Sequence, residues 1–229
     1  LRGRTRGARE RHLDEHALLG VHADVVDQAQ FVDVDGNLGV EDEPELVPDG
    51  LRVRGAVRKG AGFHAVVGNL LAEDGKPLQA APYFLAAIQL EPKEPLYHYQ
   101  LGTLLVEARD AFLKGGEWKR EGLDNAMHEA FRRAAELAPG RFEFAYRYAE
   151  SFYDLEKPDW ELALKLWSAL EEKATTPIER QTMRLHAANI LIKLDRRDHA
   201  RALLATVDVP ELQGQKQRLA PQLEAKSSP

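Results

Sequence analysis

Apolar residues recur every three to four positions from residue 61 to near the end of the chain, the spacing typical of one face of an α-helix. Glycine and proline interrupt this pattern repeatedly, and each interruption indicates a turn between helices. The interruptions are Gly75, Pro92, Gly115-Gly116, Pro139-Gly140, Pro158, Pro177 and Pro210. No alternating strand pattern is present in this region, so the sequence predicts about eight helices joined by short turns.

The first 60 residues follow a different pattern. They contain no Ile, Tyr, Trp, Ser or Met, and their single aromatic residue is Phe31. Apolar and acidic residues alternate on one side of Gly36-Asn37, which is a pattern that favours a β-hairpin. An isolated two-stranded ribbon is marginally stable in water. We therefore predict a poorly ordered or non-native leader over residues 1–60, with a weak hairpin at most. Because the chain begins at Leu1, we interpret it as a fragment or a processed product.

The helical region contains an internal repeat. Leu90-Glu91-Pro92 and Leu137-Ala138-Pro139 each follow an amphipathic segment, and the two prolines are 47 positions apart. That separation equals a 34-residue period with 13 extra residues, which fall around positions 112–122. Small residues recur on the first helix of each unit and large aromatic residues on the second. The small residues are Gly68, Gly102, Ala149 and Ala188, and the aromatic residues are Phe84, Phe131 and Trp167.

This arrangement resembles the tetratricopeptide repeat (TPR), a helix–turn–helix unit of about 34 residues. The resemblance implies an all-α fold: a right-handed α-solenoid of about four units plus a C-terminal capping helix. We expect the small residues to let paired helices approach closely, and the aromatic residues to fill the space between neighbouring pairs. The predicted units are residues 61–94, 95–141, 142–176 and 177–210, with the cap at 211–225.

Composition and charge exclude several classes of function. Lys and Arg number 31 and Asp and Glu 37, so the net charge of −6 disfavours a general nucleic-acid binder. The absence of cysteine excludes disulfides, thiolate metal sites and a cysteine nucleophile. No apolar run is long enough to span a bilayer. The sequence leaves a cytoplasmic, periplasmic or membrane-tethered location open and favours the first.

One segment matches a catalytic pattern. His12, Glu15 and His16 form H-x-x-E-H, the zinc-binding pattern of the inverzincin peptidases. Glu91 lies at the distance of their third ligand, but its place in Leu90-Glu91-Pro92 already explains it. We therefore predict no enzymatic activity, no metal and no cofactor, and keep a zinc peptidase fragment as an alternative.

In TPR proteins the first helices line a concave surface that binds peptides or partner domains. The corresponding positions here combine carboxylates, amides and tyrosines, which favours a cationic or Arg-containing partner. These partner-binding positions are Asn69, Glu73, Tyr99, Thr103, Glu107, Tyr146, Glu150, Tyr153, Asp154, Asn189 and Lys193. One TPR subtype clamps a C-terminal carboxylate with cations and asparagines. Thr103, Tyr146 and Glu150 stand where that clamp needs those groups, so a clamp is not predicted.

The sequence therefore predicts a protein–protein interaction scaffold that binds a peptide or partner domain. The first alternative is the recognition or regulatory arm of a larger enzyme, cut off at the N-terminus. A solvated acidic face without a ligand is the remaining interpretation of the charged positions.

Overall fold

The structure, a computed structural model, describes residues 45–46, 52–53, 60–116 and 118–224. Two short strands, β1 (Glu45–Leu46) and β2 (Arg52–Val53), pair in antiparallel fashion. The hairpin predicted around Gly36-Asn37 lies outside the described residues.

The rest of the described chain is helical, which confirms the prediction of an all-α fold. Ten α-helices lie within residues 60–116 and 118–224, and two single 3-10 turns follow α6 and α9 at Phe152–Asp154 and Pro210–Leu212. The α-helices are α1 (Ala61–Glu73), α2 (Pro77–Leu90), α3 (Pro95–Glu107), α4 (Arg109–Lys114), α5 (Arg120–Leu137), α6 (Phe142–Ser151), α7 (Trp160–Lys173), α8 (Pro177–Lys193), α9 (Arg197–Ala205) and α10 (Gln213–Glu224).

Local sequence signals explain where helices begin and end. Gly75 follows α1 with φ +71°, a left-handed conformation that glycine adopts without steric cost. Pro177 occupies the first position of α8, where a missing N–H costs no helical hydrogen bond. Thr176 and Glu179 form a capping box there, each side chain accepting a hydrogen bond from the other's backbone N–H.

The described residues divide into two compact units, and the boundary falls within α6. The N-terminal unit ends at Phe144 and the C-terminal unit begins at Ala145. In the N-terminal unit α1 packs along α2 and α3 packs along α5, while α2 also contacts α3. These contacts make two helix pairs. Helix α4, which the sequence pattern did not predict, lies in the connection between α3 and α5 and contacts both α2 and α3.

The C-terminal unit is built around α8. This helix packs against α7 on one side and α9 on another, and α10 contacts both α8 and α9. An apolar cluster joins α8, α9 and α10, and its fully buried members include Leu185, Ala200, Leu212 and Leu219.

Small residues and aromatic rings meet within each pair of the N-terminal unit. A Cβ atom on Gly68 would lie 2.9 Å from the Phe84 ring, and one on Gly102 would lie 2.8 Å from the Phe131 ring. The two glycines thus make room for the ring of the second helix in their own pair. Phe84 and Phe131, which were expected to fill the space between neighbouring pairs, thus pack against the glycine of their own pair.

Candidate functional site

A cavity of about 720 Å³ opens in the N-terminal unit. Helices α1 and α3, the first helices of the two pairs, supply most of its lining, and α4 adds Asp110, Ala111 and Lys114. Five residues predicted from the sequence line it together: Asn69, Glu73, Tyr99, Thr103 and Glu107. They lie one or two turns apart on two helices, so they share faces that point into one space.

Aromatic packing holds part of the cavity lining in place. The half-buried Tyr99 ring lies 5.8 Å from the Phe131 ring and 4.8 Å from the Phe144 ring, centroid to centroid. Phe84 also lines the cavity, although it is only 2% exposed. The lining therefore combines aromatic rings that are held by packing with polar side chains.

Two polar atoms of α3 have unused hydrogen-bonding capacity. The side-chain oxygens of Gln100 and Thr103 are buried and have no hydrogen-bond partner among the described residues. Both residues line the cavity. Buried polar atoms are usually satisfied, so a molecule that entered here would find an acceptor at Gln100 and a hydroxyl at Thr103.

The charges at the cavity are mainly negative. Glu73, Glu107 and Asp110 contribute three exposed carboxylates, and Lys114 contributes one exposed ammonium group. Gln100, Asp110 and Lys114 were not among the residues predicted from the sequence. The last two belong to α4, and their spacing of four residues on one helix face was the signal that could have indicated them.

A buried ion pair fixes α4. Asp124 of α5 is 3% exposed, and its Oδ1 lies 3.1 Å from Nε of Arg109, the first residue of α4. Arg120 binds the other carboxylate oxygen, and Arg109 also contacts the sulfur of Met127 at 3.8 Å. These contacts join the start of α4 to α5 and so position Asp110 and Lys114.

The other predicted site residues lie in the C-terminal unit, where most of them are buried. Glu150, Tyr153, Asp154 and Asn189 are each less than 9% exposed. Glu150 pairs with Arg147, with 2.5 Å between the nitrogen and the oxygen. Their packing leaves little surface for a partner to contact, so the proposed site below uses the predicted residues of the N-terminal unit.

A stacked pair forms the centre of this buried group. The rings of Trp167 and His186 lie parallel at 3.8 Å between centroids, and the hydroxyl oxygens of Tyr146 and Tyr153 lie 3.3 and 3.4 Å from the two ring nitrogens of His186. Burial raises the pKa of Tyr146 above its usual value, and the Glu150 carboxylate raises it further. Tyr146 therefore stays protonated and acts as a hydrogen-bonding group.

Lys193 is the last of the predicted residues. Its ammonium nitrogen lies 5.3 Å from the centre of the Trp160 ring, a cation–π distance. Lys193 is thus engaged within its own unit.

No three His, Asp or Glu side chains within residues 60–116 and 118–224 are grouped so that they could hold a metal ion. His12, Glu15 and His16 of the zinc peptidase pattern lie outside the described residues. None of the described helices combines the length and the apolar character needed to cross a bilayer.

Comparisons with known proteins identify the fold. No protein-family model and no curated protein sequence matches the chain. Among solved structures, the chain is similar to YrrB, described as a TPR protein with an unusual peptide-binding site. The two share 17% identity with a TM-score of 0.50, over 66% of this chain and 68% of YrrB. It is also similar to a double mutant of MamA RS-1, at 15% identity and a TM-score of 0.51, over 72% of this chain and 78% of that one. The chain therefore has the helical-repeat fold of tetratricopeptide-repeat proteins, as its sequence predicted.

Proposed function

We propose that this protein is an interaction scaffold that binds a peptide segment of a partner protein in the cavity of the N-terminal unit. The TPR fold supports this proposal, since YrrB, with the same fold, has a peptide-binding site. The observation that carries it is the meeting of Asn69, Glu73, Tyr99, Thr103 and Glu107 at one cavity.

The chemistry of the lining favours a peptide with an Arg or Lys side chain. A guanidinium group can stack on the Tyr99 ring while it pairs with a carboxylate such as Glu107. The buried oxygens of Gln100 and Thr103, which have no hydrogen-bond partner in the described part of the chain, suit the N–H groups of that side chain or of the peptide backbone. Acidic peptides and nucleic acids would meet repulsion from Glu73, Glu107 and Asp110. No catalytic step is proposed.

Titration calorimetry with a short Arg-containing peptide and a matched acidic peptide tests the proposal. We expect the Arg-containing peptide to bind more tightly, and its affinity to fall as salt rises because exposed charges are screened. Glu107→Gln should weaken binding by about two- to fivefold, the usual size for one exposed ion pair. Glu172→Gln, at an exposed site on α7, is the matched control and should leave the affinity unchanged.

The results would contradict the proposal in either of two cases. One is tighter binding of the acidic peptide, and the other is equal affinity in wild type and a Glu73→Gln, Glu107→Gln double variant.

A further inference from the structure

Helix α4 interrupts the repeat, and it contributes to the cavity. Its residues Asp110, Ala111 and Lys114 line the cavity together with the predicted residues of α1 and α3. The buried carboxylate of Asp124 holds the first residue of α4 through Arg109. Helix α4, at the start of the long connection between α3 and α5, is therefore a fixed part of the candidate site.

This helix also changes the charge pattern of the cavity. Lys114 is the one cation among the described residues that line it. Asp110 and Lys114 lie on the same face of α4 and, at 1.5 Å per residue, are about 6 Å apart along the helix axis. Carboxylates therefore lie at the α3 end of α4, where Glu107 and Asp110 are close in sequence, and an ammonium group lies at its other end.

The spacing of alternate side chains in an extended peptide is similar to the spacing of Asp110 and Lys114 on α4. Alternate side chains of a strand point the same way and are about 7 Å apart, close to the rise between Asp110 and Lys114. We propose that the cavity recognises two residues of the bound peptide: an Arg or Lys beside Glu107 and Asp110, and an Asp or Glu two positions away beside Lys114. This inference rests on the proposed function and adds a sequence preference to it.

A site of this kind would differ from a simple acidic groove in the peptides that it binds weakly. A peptide of consecutive basic residues would place a second cation next to Lys114 and lose affinity through repulsion. Asp110 and Lys114 could also pair with each other, but both are exposed, and such pairs within a helix are weak enough for a peptide to replace.

The test uses short peptides with blocked termini and fluorescence anisotropy on the full chain. One set has Arg and Glu separated by one residue, in both orders, and a second set has Gln in place of Glu. A third set places Arg and Glu four residues apart. We expect one order of the first set to bind about two- to fivefold more tightly than its Gln counterpart, as for one exposed ion pair.

Two variants assign that preference to Lys114. Lys114→Gln should abolish it, whereas Lys119→Gln, an exposed lysine just before α5 that does not line the cavity, should retain it. Equal affinity for the Glu and Gln peptides in wild type would overturn the inference, as would a preference that persists in Lys114→Gln or one that is largest at four-residue spacing. In these three cases, binding that still depends on Glu107 would leave the proposed function standing. Absence of any Glu107-dependent binding would contradict both.

Discussion

The Phe131 ring occupies the space that a side chain on Gly102 would need. A Cβ atom on Gly102 would lie 2.8 Å from Cε1 of Phe131, and real Cβ atoms do not approach other atoms so closely. Phe131 is 1% exposed and also contacts Tyr99, which lines the cavity. Gly102 on α3 thus leaves room for the Phe131 ring on α5. Phe131 in turn packs against Tyr99, which belongs to the candidate site.

Gly102→Ala should therefore destabilise the protein. We expect the free energy of unfolding, measured by urea denaturation, to fall by about 1–3 kcal/mol, the usual range for overpacking a core. Gly122→Ala is the control, because a Cβ there would meet nothing within 4 Å and the residue lies within α5. That control should raise stability by about 0.5–1 kcal/mol, since alanine is the better helix former. Equal effects of the two substitutions would contradict the packing argument.

Trp167 should contribute strongly to the C-terminal unit. Its side chain is fully buried and stacks on His186 at 3.8 Å. Trp167→Ala should lower the free energy of unfolding by about 3–5 kcal/mol, as large aromatic truncations in cores do. Urea unfolding followed by circular dichroism measures it, and a change below about 1 kcal/mol would show that the stacked pair adds little.

Much of the fold was predictable from the sequence, because the repeat pattern follows from the way the helices pack against one another. The Pro92 to Pro139 spacing located the extra residues, and Gly68 and Gly102 marked the rings they accommodate. The same register placed Asn69 and Glu107 at one cavity. Helix α4 was not predicted, because inserted residues have no counterpart in the repeat from which to transfer a position.

The repeat pattern also did not predict which side chains pair with one another. The register placed Glu150 on an inward face, but Arg147, one turn earlier on the same helix, pairs with it inside the C-terminal unit. Likewise Tyr153 contacts His186, 33 residues away. Whether an inward polar residue faces a partner or a neighbouring side chain depends on such contacts, which spacing along one helix does not specify.

His128 should make stability depend on pH. Burial lowers its pKa below the usual value, with Glu129 opposing the shift and Arg132 adding to it. The unfolded chain, with a pKa of about 6.5, then takes up a proton before the folded chain does. Stability from this residue is complete above that pH and is lost as the pH falls from about 6.5 to the folded pKa.

A comparison of variants isolates that effect. Urea denaturation at pH 7.5 and pH 5 should show a smaller loss of stability on acidification in His128→Gln than in wild type. His199→Gln, at an exposed site on α9, is the control and should match wild type. If His128→Gln and wild type lose the same stability between the two pH values, His128 is not the titrating group.

Asp124 offers the clearest test of how α4 is held. Asp124→Asn keeps the size of the side chain and removes the charge that Arg109 and Arg120 share. Because the carboxylate is 3% exposed, we expect a loss of about 3 kcal/mol, toward the lower end for a broken buried pair since Arg120 is half exposed. Asp198→Asn makes the same chemical change at a side chain that is 97% exposed and pairs with Arg201, so its cost should be below about 1 kcal/mol.

The two substitutions should also differ in binding. Arg109 begins α4, so releasing it lets Asp110 and Lys114 move, and Asp124→Asn should weaken binding of an Arg-containing peptide, whereas Asp198→Asn should not. Raising the salt concentration should reduce the cost of Asp198→Asn more than that of Asp124→Asn, because buried pairs are screened less. A stability loss in Asp124→Asn with unchanged peptide affinity would show that the ion pair supports the fold without positioning the site. Equal effects at both aspartates would mean that the buried pair does not fix α4 at all.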